Sequence, residues 1–337
     1  MALLSTNAPT LADVAKRLDP DGNIADVVEL LAQTNEAIRD MGWIEGNLPT
    51  GHRTTVRTGL PQGTWRRLNY GVQPEKSTTV QVQDTCGMLE AYAEVDKALA
   101  DLNGNSAAWR LSEDSAFVEG VSQSFAKTLF YGDTAVNPER FMGLAPRYSQ
   151  IAGAENGRNI IDAAGAGADN TSIWLVVWGP ATVHGIYPKG SSAGLKTQDL
   201  GEQTLTDAAG GRYQGYRSHY KWDCGLTLRD WRYVVRVANV KTGDLIAGTG
   251  TQAPDAFGLS PLINQLIAAK NRIPSVGRGR AVIYCNPTVR EALDKMALKA
   301  SNSTLSIREA AGQFETSFLG MPIRTVDAIL NTEARVV

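Results

Sequence analysis

The sequence predicts an α+β fold of one large or two modest domains. Three observations predict it. Residues 52–83 form a period-two ribbon with no second apolar pattern beside it to cover it. A long stretch from Ser106 keeps apolar residues at helical spacing as far as Leu129. Beyond Pro138, short β-branched and aromatic runs alternate with helical ones.

The chain opens with two helical patterns. Thr10 with Asp13 makes a capping arrangement ahead of Leu11, Val14, Ala15 and Leu18, which share one face. Asp19-Pro20-Asp21-Gly22 then breaks the chain. Asn23 is placed to cap a second helix reaching about Met41, with Ile24, Val27, Val28, Leu31 and Ile38 as its apolar stripe and Gly42 as its stop. Both helices precede any core-forming strand, so residues 1–50 read as an arm that covers something else. Leu31 and Ile38 are its candidate contact residues.

Residues 51–84 change period. Thr54, Val56 and Thr58 alternate with polar neighbours, as do Thr78, Val80 and Val82. Strands of about ten residues reach ~33 Å. An isolated two-stranded hairpin is marginal in water, so this one is expected to lie on a neighbouring molecule. Gly59, Pro61, Gly63, Gly71 and Pro74 are candidate hinges or tip formers. Trp65, Arg66, Arg67, Leu68 and Tyr70 cluster near the tip and are candidate contacts between subunits. Arginines beside aromatics also suit stacking on nucleic acid, but a solvated hairpin or a subunit contact is the better reading.

A helix-like stretch at 88–99 and a break at Asn103-Gly104 lead to the long helix. Phe117, Val118, Val121, Phe125 and Leu129 mark its buried face, Gly120 weakens it slightly and Gly132 closes it. Arg110 and Glu113 on this helix, with Asp84, are candidates for ion pairs between subunits, worth ~0–1 kcal/mol each when exposed. Strands are expected at 173–178, 182–187, 221–228 and 231–238. The polar, Gly-rich stretch 188–215 reads as an exposed loop. Helices are expected at 260–271, opened by Pro261, and from Pro287 to about Lys299. Short strands are expected at 281–285 and 322–326.

Composition narrows the function classes. With 337 residues, 43% apolar and 20% charged, the chain has material for a sizeable core and is not disordered. A net charge of −2 excludes a molecule drawn as a whole to nucleic acid. Cys86, Cys224 and Cys285 are odd in number and far apart, which argues against a disulfide framework or a zinc site and suits a reducing cytoplasm. No basic leader opens the chain, and the longest aliphatic run, 173–178, is far short of a membrane span. A soluble cytosolic product is therefore expected.

Chemistry is poorly represented. Gly190-Ser191-Ser192-Ala193-Gly194 matches a nucleophile elbow, with Asp199 or Asp207 and His219 following in triad order. Pro188 interrupts the preceding strand, however, and 195–201 offers little helical stripe, so a flexible loop is the better account. Gly165-Ala166-Gly167-Ala168-Asp169 lacks the ending of a phosphate loop. His52, His184 and His219 are too scattered in sequence for metal-ligand spacing. No catalytic, cofactor-binding or metal residue is expected.

The order of arm, hairpin, long helix and α/β region resembles the Hong Kong 97-type fold of tailed-phage major capsid proteins. Phe130-Tyr131-Gly132-Asp133-Thr134-Ala135-Val136-Asn137-Pro138-Glu139-Arg140-Phe141-Met142-Gly143-Leu144 is similar to the segment leaving the spine helix in podophage-type members. Ala281-Val282-Ile283-Tyr284-Cys285-Asn286-Pro287-Thr288-Val289-Arg290 resembles their axial strand-to-helix turn. Phe318-Leu319-Gly320-Met321-Pro322-Ile323-Arg324, with Asp327-Ala328-Ile329, resembles their closing strand.

The resemblance implies an arm at 1–50 and an extended loop at 51–84. It implies a peripheral domain at 85–150, completed near 231–250 and 315–337, and a mainly axial domain at 151–314. It also implies a virion shell protein, assembled in the host cytoplasm from hexamers and pentamers of itself. The implied partners are a separate scaffolding protein, a portal, a possible cement or decoration protein and double-stranded DNA contacted without sequence preference, with no membrane. Lys76 is the only lysine in the hairpin and the partners of the family's crosslink find no match, so no crosslink or cleavage is expected. The alternatives are an encapsulin-like compartment shell and a serine hydrolase using Ser192.

Overall fold

In the computed structural model the described residues are 33–101, 106–207, 209–247, 261–297, 305–310 and 313–337. The helix expected near Thr10 lies outside them, and so does Leu31. The described part of the arm holds only α1 (Ala37–Asp40), not a helix continuous from Asn23. Asn35 instead bridges to Val326, and the Glu36 amide donates to the Thr325 carbonyl, which keeps residues 33–36 out of a helix.

In chain order there follow β1 (Trp43–Glu45), β2 (Gly51–Gly59), β3 (Thr78–Asp96), α2 (Lys97–Ala100) and the long helix α3 (Ser106–Tyr131). Next come α4 (Leu144–Arg147), β4 (Ile160–Asp162), β5 (Asn170–Trp178), β6 (Val183–Tyr187), β7 (Lys196–Thr206), β8 (Arg212–Leu228) and β9 (Val234–Lys241). The chain ends with α5 (Thr242–Ala247), α6 (Pro261–Arg272), β10 (Arg280–Cys285), α7 (Pro287–Ala297), β11 (Leu305–Ala310), β12 (Gln313–Phe318) and β13 (Met321–Thr325).

Two expectations fail here for the same reason. The stretch 88–99 is strand up to Asp96, not helix. The expected loop 188–215 contains β7 and the start of β8. In both places the strand faces solvent on one side, so its composition is polar, while β8 supplies the ladder that fixes it. Pairing across strands, not local propensity, decides such segments.

The strands form two regions. β5 lies antiparallel to both β10 and β9, with β13 parallel to β10 and β4 parallel to β9. All nine residues of β5 are buried, as expected for a strand covered on both faces. Trp174 and Val176 face a core with Phe125, Phe130 and Tyr148, whereas Ile173, Leu175 and Val177 face Leu262, Ile263, Leu266 and Leu293. The second region is a ribbon of β7, β8 and β3, joined to the first through β6. Helix α3 lies along this ribbon and stacks Phe125 on Trp222 at 4.4 Å. Residues 212–228 therefore sit with the long helix, and β9 sits in the two-faced sheet.

The three segments that carried the resemblance have clear local causes. A side chain at Gly132 would meet the Phe141 carbonyl at 2.4 Å, and the Gly143 amide donates to the Gly132 carbonyl at 2.7 Å, so both glycines permit a close chain crossing. Asn286 caps α7 by accepting from the Val289 amide at 2.9 Å. Leu319 and Gly320, both at positive φ, turn β12 into β13.

The C-terminal tail is pinned to this body. Arg236 donates to Glu333 at 2.9 Å, to Ser172 at 2.9 Å and to the Tyr148 carbonyl at 2.8 Å, and its guanidinium lies 5.0 Å from the Trp174 ring centre. Both partners are buried. Tyr131 also donates to Glu333, and burial pushes its phenol well up from the usual range. Replacing Glu333 with Ala leaves a buried guanidinium without its counter-charge. The expected cost is ~3–5 kcal/mol, read as a lowered midpoint in denaturant unfolding of the free subunit. A cost below ~1 kcal/mol would place the pair in effective contact with water.

Candidate assembly surface

The hairpin of β2 and β3 pairs in register from Gly51↔Thr85 and His52↔Asp84 through Val56↔Val80 to Gly59↔Thr78, with an irregularity between Arg57 and Gly59. Period two sorts its side chains by face. Thr54, Val56, Val80 and Val82 share one face, while Arg53, Gln83, Thr55 and Gln81 share the other, with Arg53 donating to Gln83 at 3.1 Å. On the β-branched face Val80 is 50% exposed and Val82 also open, while Thr54 and Val56 are half-buried.

The tip, residues 60–77, has no regular structure. Trp65 is fully exposed, Leu68, Tyr70 and Leu60 are largely so, and Arg66 and Arg67 project beside them. The candidate contact residues of the hairpin are therefore brought together and left open. The hinge candidates are more mixed. Gly63 and Gly71 stand in open space, and the Gln62 amide is held by Glu75 across the tip at 2.6 Å. Gly59 marks the register shift, where a side chain would meet Thr78 at 2.5 Å. The tip's one left-handed residue is Asn69, which the sequence reading passed over.

The root of the hairpin is tightly built. Asp84 is buried, so it is not an intersubunit ion-pair residue: its carboxylate is committed inside the subunit. Arg147 donates to it at 2.8 Å, the Thr227 hydroxyl at 2.6 Å and the Leu228 amide at 3.3 Å. Arg147 also donates to the carbonyls of Gly143, Met142 and Leu226. Gly51 sits opposite, where a side chain would meet the Asp84 carbonyl at 2.0 Å. Beside this clamp His52 and His184 meet edge to face at 6.0 Å, with Arg229 Nη2 3.3 Å from His52. Sequence separation had hidden this pair. Burial, reinforced by Arg229 and His52, pushes the His184 imidazole down to about 4.

Other candidates turn inward too. Arg110 is paired with Asp199 at 2.5 Å within its own ribbon and lies 5.2 Å from the Tyr216 ring centre. Glu113 lies on α3, with its side chain outside the described residues. Ile38 is half-buried and packs on the core beside Ala37 and Met41. On the outer face of the ribbon, Glu90 meets Lys221 at 3.1 Å and His219 at 3.3 Å, while His219 stacks on Tyr92 at 4.4 Å.

A hydrolytic site does not assemble. Ser192 is exposed in a turn that leads into the strand β7, not a helix. Asp199 is held by Arg110, Asp207 caps its own turn through the Ala209 and Gly211 amides, and His219 is engaged by Glu90. Burial raises the Cys86 and Cys285 thiols to about 12, which suppresses the nucleophilic thiolate. Among the described residues no metal-holding group occurs, and no helix is long and apolar enough to cross a membrane.

Comparison with known proteins shows what kind of protein carries this open ribbon and its buried root. Residues 19–337 match the family described as major capsid protein GP7. The chain belongs to that family. Bacteriophage Epsilon15, whose structure is solved, has a chain 39% identical to it, matching at TM-score 0.76 over 100% of this chain and 99% of that one. The capsid of bacteriophage JBD30 matches at TM-score 0.50 with 9% identity, over 89% of this chain and 93% of that one, which bears on the fold alone. No curated protein sequence matches. The fold is thus Hong Kong 97-like, and the chain is a structural capsid protein of the phage virion rather than an enzyme. The encapsulin and hydrolase alternatives are not favoured.

The His184 environment sets a pH dependence. The group stays neutral in the folded subunit until about pH 4, but takes up a proton below about 6.5 when unfolded. The unfolded state binds more protons in that window, so stability falls as pH drops from about 6.5 towards 4. Denaturant midpoints of the subunit measured across this range should decline. A His184→Leu variant should decline less steeply; an unchanged slope would remove His184 as the cause.

Proposed function

We propose that this capsid protein closes its shell by laying the β-branched face of the hairpin, with Trp65, Leu68 and Tyr70 at its tip, on a neighbouring copy. The observation that carries this is an apolar ribbon face and a fully exposed Trp65 on a hairpin whose root is locked. Large aromatics dominate the energetics of such contacts when a partner buries them. Arg66 and Arg67 would flank the contact. Repeated head-to-tail contacts close only when the rotation between copies is right, and we assign copies of this chain to hexamers and pentamers of one icosahedral head. The unstructured tip with Gly63 and Gly71 gives the contact the compliance both rings need.

The working division is an arm at 1–50, an extended loop at 51–84, a peripheral domain built on α3 and a mainly axial domain within 151–314. The pairing of β8 with β3 supports grouping 212–228 with the peripheral part. Assembly in the host cytoplasm on a separate scaffolding protein, with a portal and in some shells a cement protein, belongs to the same proposal. So does enclosure of double-stranded DNA. With a net charge of −2 the contact with DNA should be weak, salt-sensitive and independent of sequence.

Expression with the neighbouring phage genes, followed by electron microscopy of sedimented material, tests the reading. Uniform angular shells are expected; a discrete small oligomer would contradict it. Within such shells, Trp65→Ala should lower the temperature at which particles come apart while leaving the unfolding midpoint of the free subunit within ~0.5 kcal/mol of the parent. Particles of unchanged heat resistance would remove Trp65 from the contact.

A further inference from the structure

The hairpin differs in charge from the chain that bears it. Residues 51–83 carry Arg53, Arg57, Arg66, Arg67 and Lys76 against the single acid Glu75, a net +4 in a chain of −2, so everything else sums to −6. The ion pairs among the described residues engage none of these five cations. At the tip Arg66 and Arg67 stand between Trp65 and Leu68, all four exposed. The ribbon thus offers apolar groups set among positive charge.

The N-terminal half of α3 carries the converse. Leu111, Asp114 and Val118 lie at i, i+3 and i+7 and share one face of the helix. Leu111 is 73% exposed and Val118 41%. The two cations nearby are engaged within the subunit, Lys97 with Glu202 at 2.7 Å and Arg110 with Asp199 at 2.5 Å. Asp101, Asp114 and Glu119 therefore leave this end acidic.

Topology holds the two surfaces apart. Arg110 reaches Ser218, Phe117 stacks on Tyr220 and Phe125 on Trp222. Those three residues of β8 pair with Ala93, Ala91 and Leu89 of β3 in turn, so α3 begins at the end of β3 away from the hairpin. From Ala93 to Thr78 is about 50 Å of strand. A subunit's own tip is out of reach of its own Leu111.

We propose that this face of α3 is where a neighbouring copy's hairpin lands, an inference that rests on the reading that the hairpin lies on another copy. Trp65 and Leu68 cover Leu111 and Val118, and Arg66 and Arg67 face Asp114 and Glu119. Apolar groups meet apolar groups while opposite charges meet around them, an arrangement that steers encounter and fixes register. With the inserting surface at one end of β3 and the receiving surface at the other, the contact is head-to-tail, the type that closes into rings.

The test uses the full chain expressed with the neighbouring phage genes. With Leu68→Cys and Leu111→Cys in one chain, mild oxidation of the shells is expected to give a ladder of linked subunits. It should be several-fold stronger than from Leu68→Cys with Ala116→Cys, an exposed position on another side of α3. A ladder no stronger than that control overturns the inference, and so does a fast-migrating monomer linked within one chain. Leu111→Lys gives a second reading that does not depend on linkage, because it puts a cation among the receiving acids. Shell yield should fall several-fold at low salt, with the deficit shrinking as salt screens the charges, while the unfolding midpoint of the free subunit is unchanged. A yield equal to the parent's overturns this landing site and leaves the hairpin contact itself standing. If the unsubstituted chain forms no shells, the landing site falls together with the reading it rests on.

Discussion

The structure turns on one buried carboxylate. Strand β3 is a single run of nineteen residues, about 60 Å long at ordinary strand rise, and it serves two environments. Inward of Asp84 it is a ladder strand against β8 with α3 on one face. Outward of Asp84 its only partner among the described residues is β2. At the boundary Arg147, the Thr227 hydroxyl and the Leu228 amide converge on the Asp84 side chain, which fixes the angle at which the ribbon leaves the body. Breaking such a pair strands a charge in a poorly solvated place, which makes the exit angle hard to alter.

The same device recurs wherever the chain leaves the main body. At the arm, Asp40 is buried between Arg280 at 2.7 Å and the Tyr284 hydroxyl at 2.9 Å, with Trp178 donating to that hydroxyl at 2.7 Å. At the tail, Glu333 is held by Arg236. Arm, hairpin and tail are each rooted in an acid–arginine contact in which the carboxylate is buried, although Arg280 at the arm is half exposed. Well-packed apolar side chains match buried ion pairs in net stability, but an ion pair ties one defined donor to one defined acceptor and so fixes geometry. In a subunit that must meet its copies at set angles, fixed exits are the functional requirement.

How much of this the sequence carried depends on what held each element. Hairpin, long helix and buried strand were legible because their patterns are local: Thr54/Val56 against Val80/Val82, Phe117 to Leu129, and 173–178. The ends of α6 and α7 were legible through Pro261 and Pro287. The extension of β3 to Asp96 and the β7–β8 pair were not, because one-sided strands such as Glu90–Tyr92 or Gln198–Asp199 are polar in composition and stabilised by partners far away in sequence. For the same reason the buried Asp84 looked like a surface charge, and the partner of Arg110 was not visible. Arg147 and Asp199, their partners, lie 63 and 89 residues away. The open tip with Trp65 was readable because nothing among the described residues competes for it.

The most direct test of this account is hydrogen exchange on the hairpin amides, compared between free subunits and assembled shells. The account predicts that the outward amides of 53–58 and 79–83 exchange fast in the free subunit and slowly in the shell, while 85–95 stay slow in both. If the outward amides were equally protected in the free subunit, the ribbon would have found its cover within its own chain, and the claim that it is completed by a neighbour would fail.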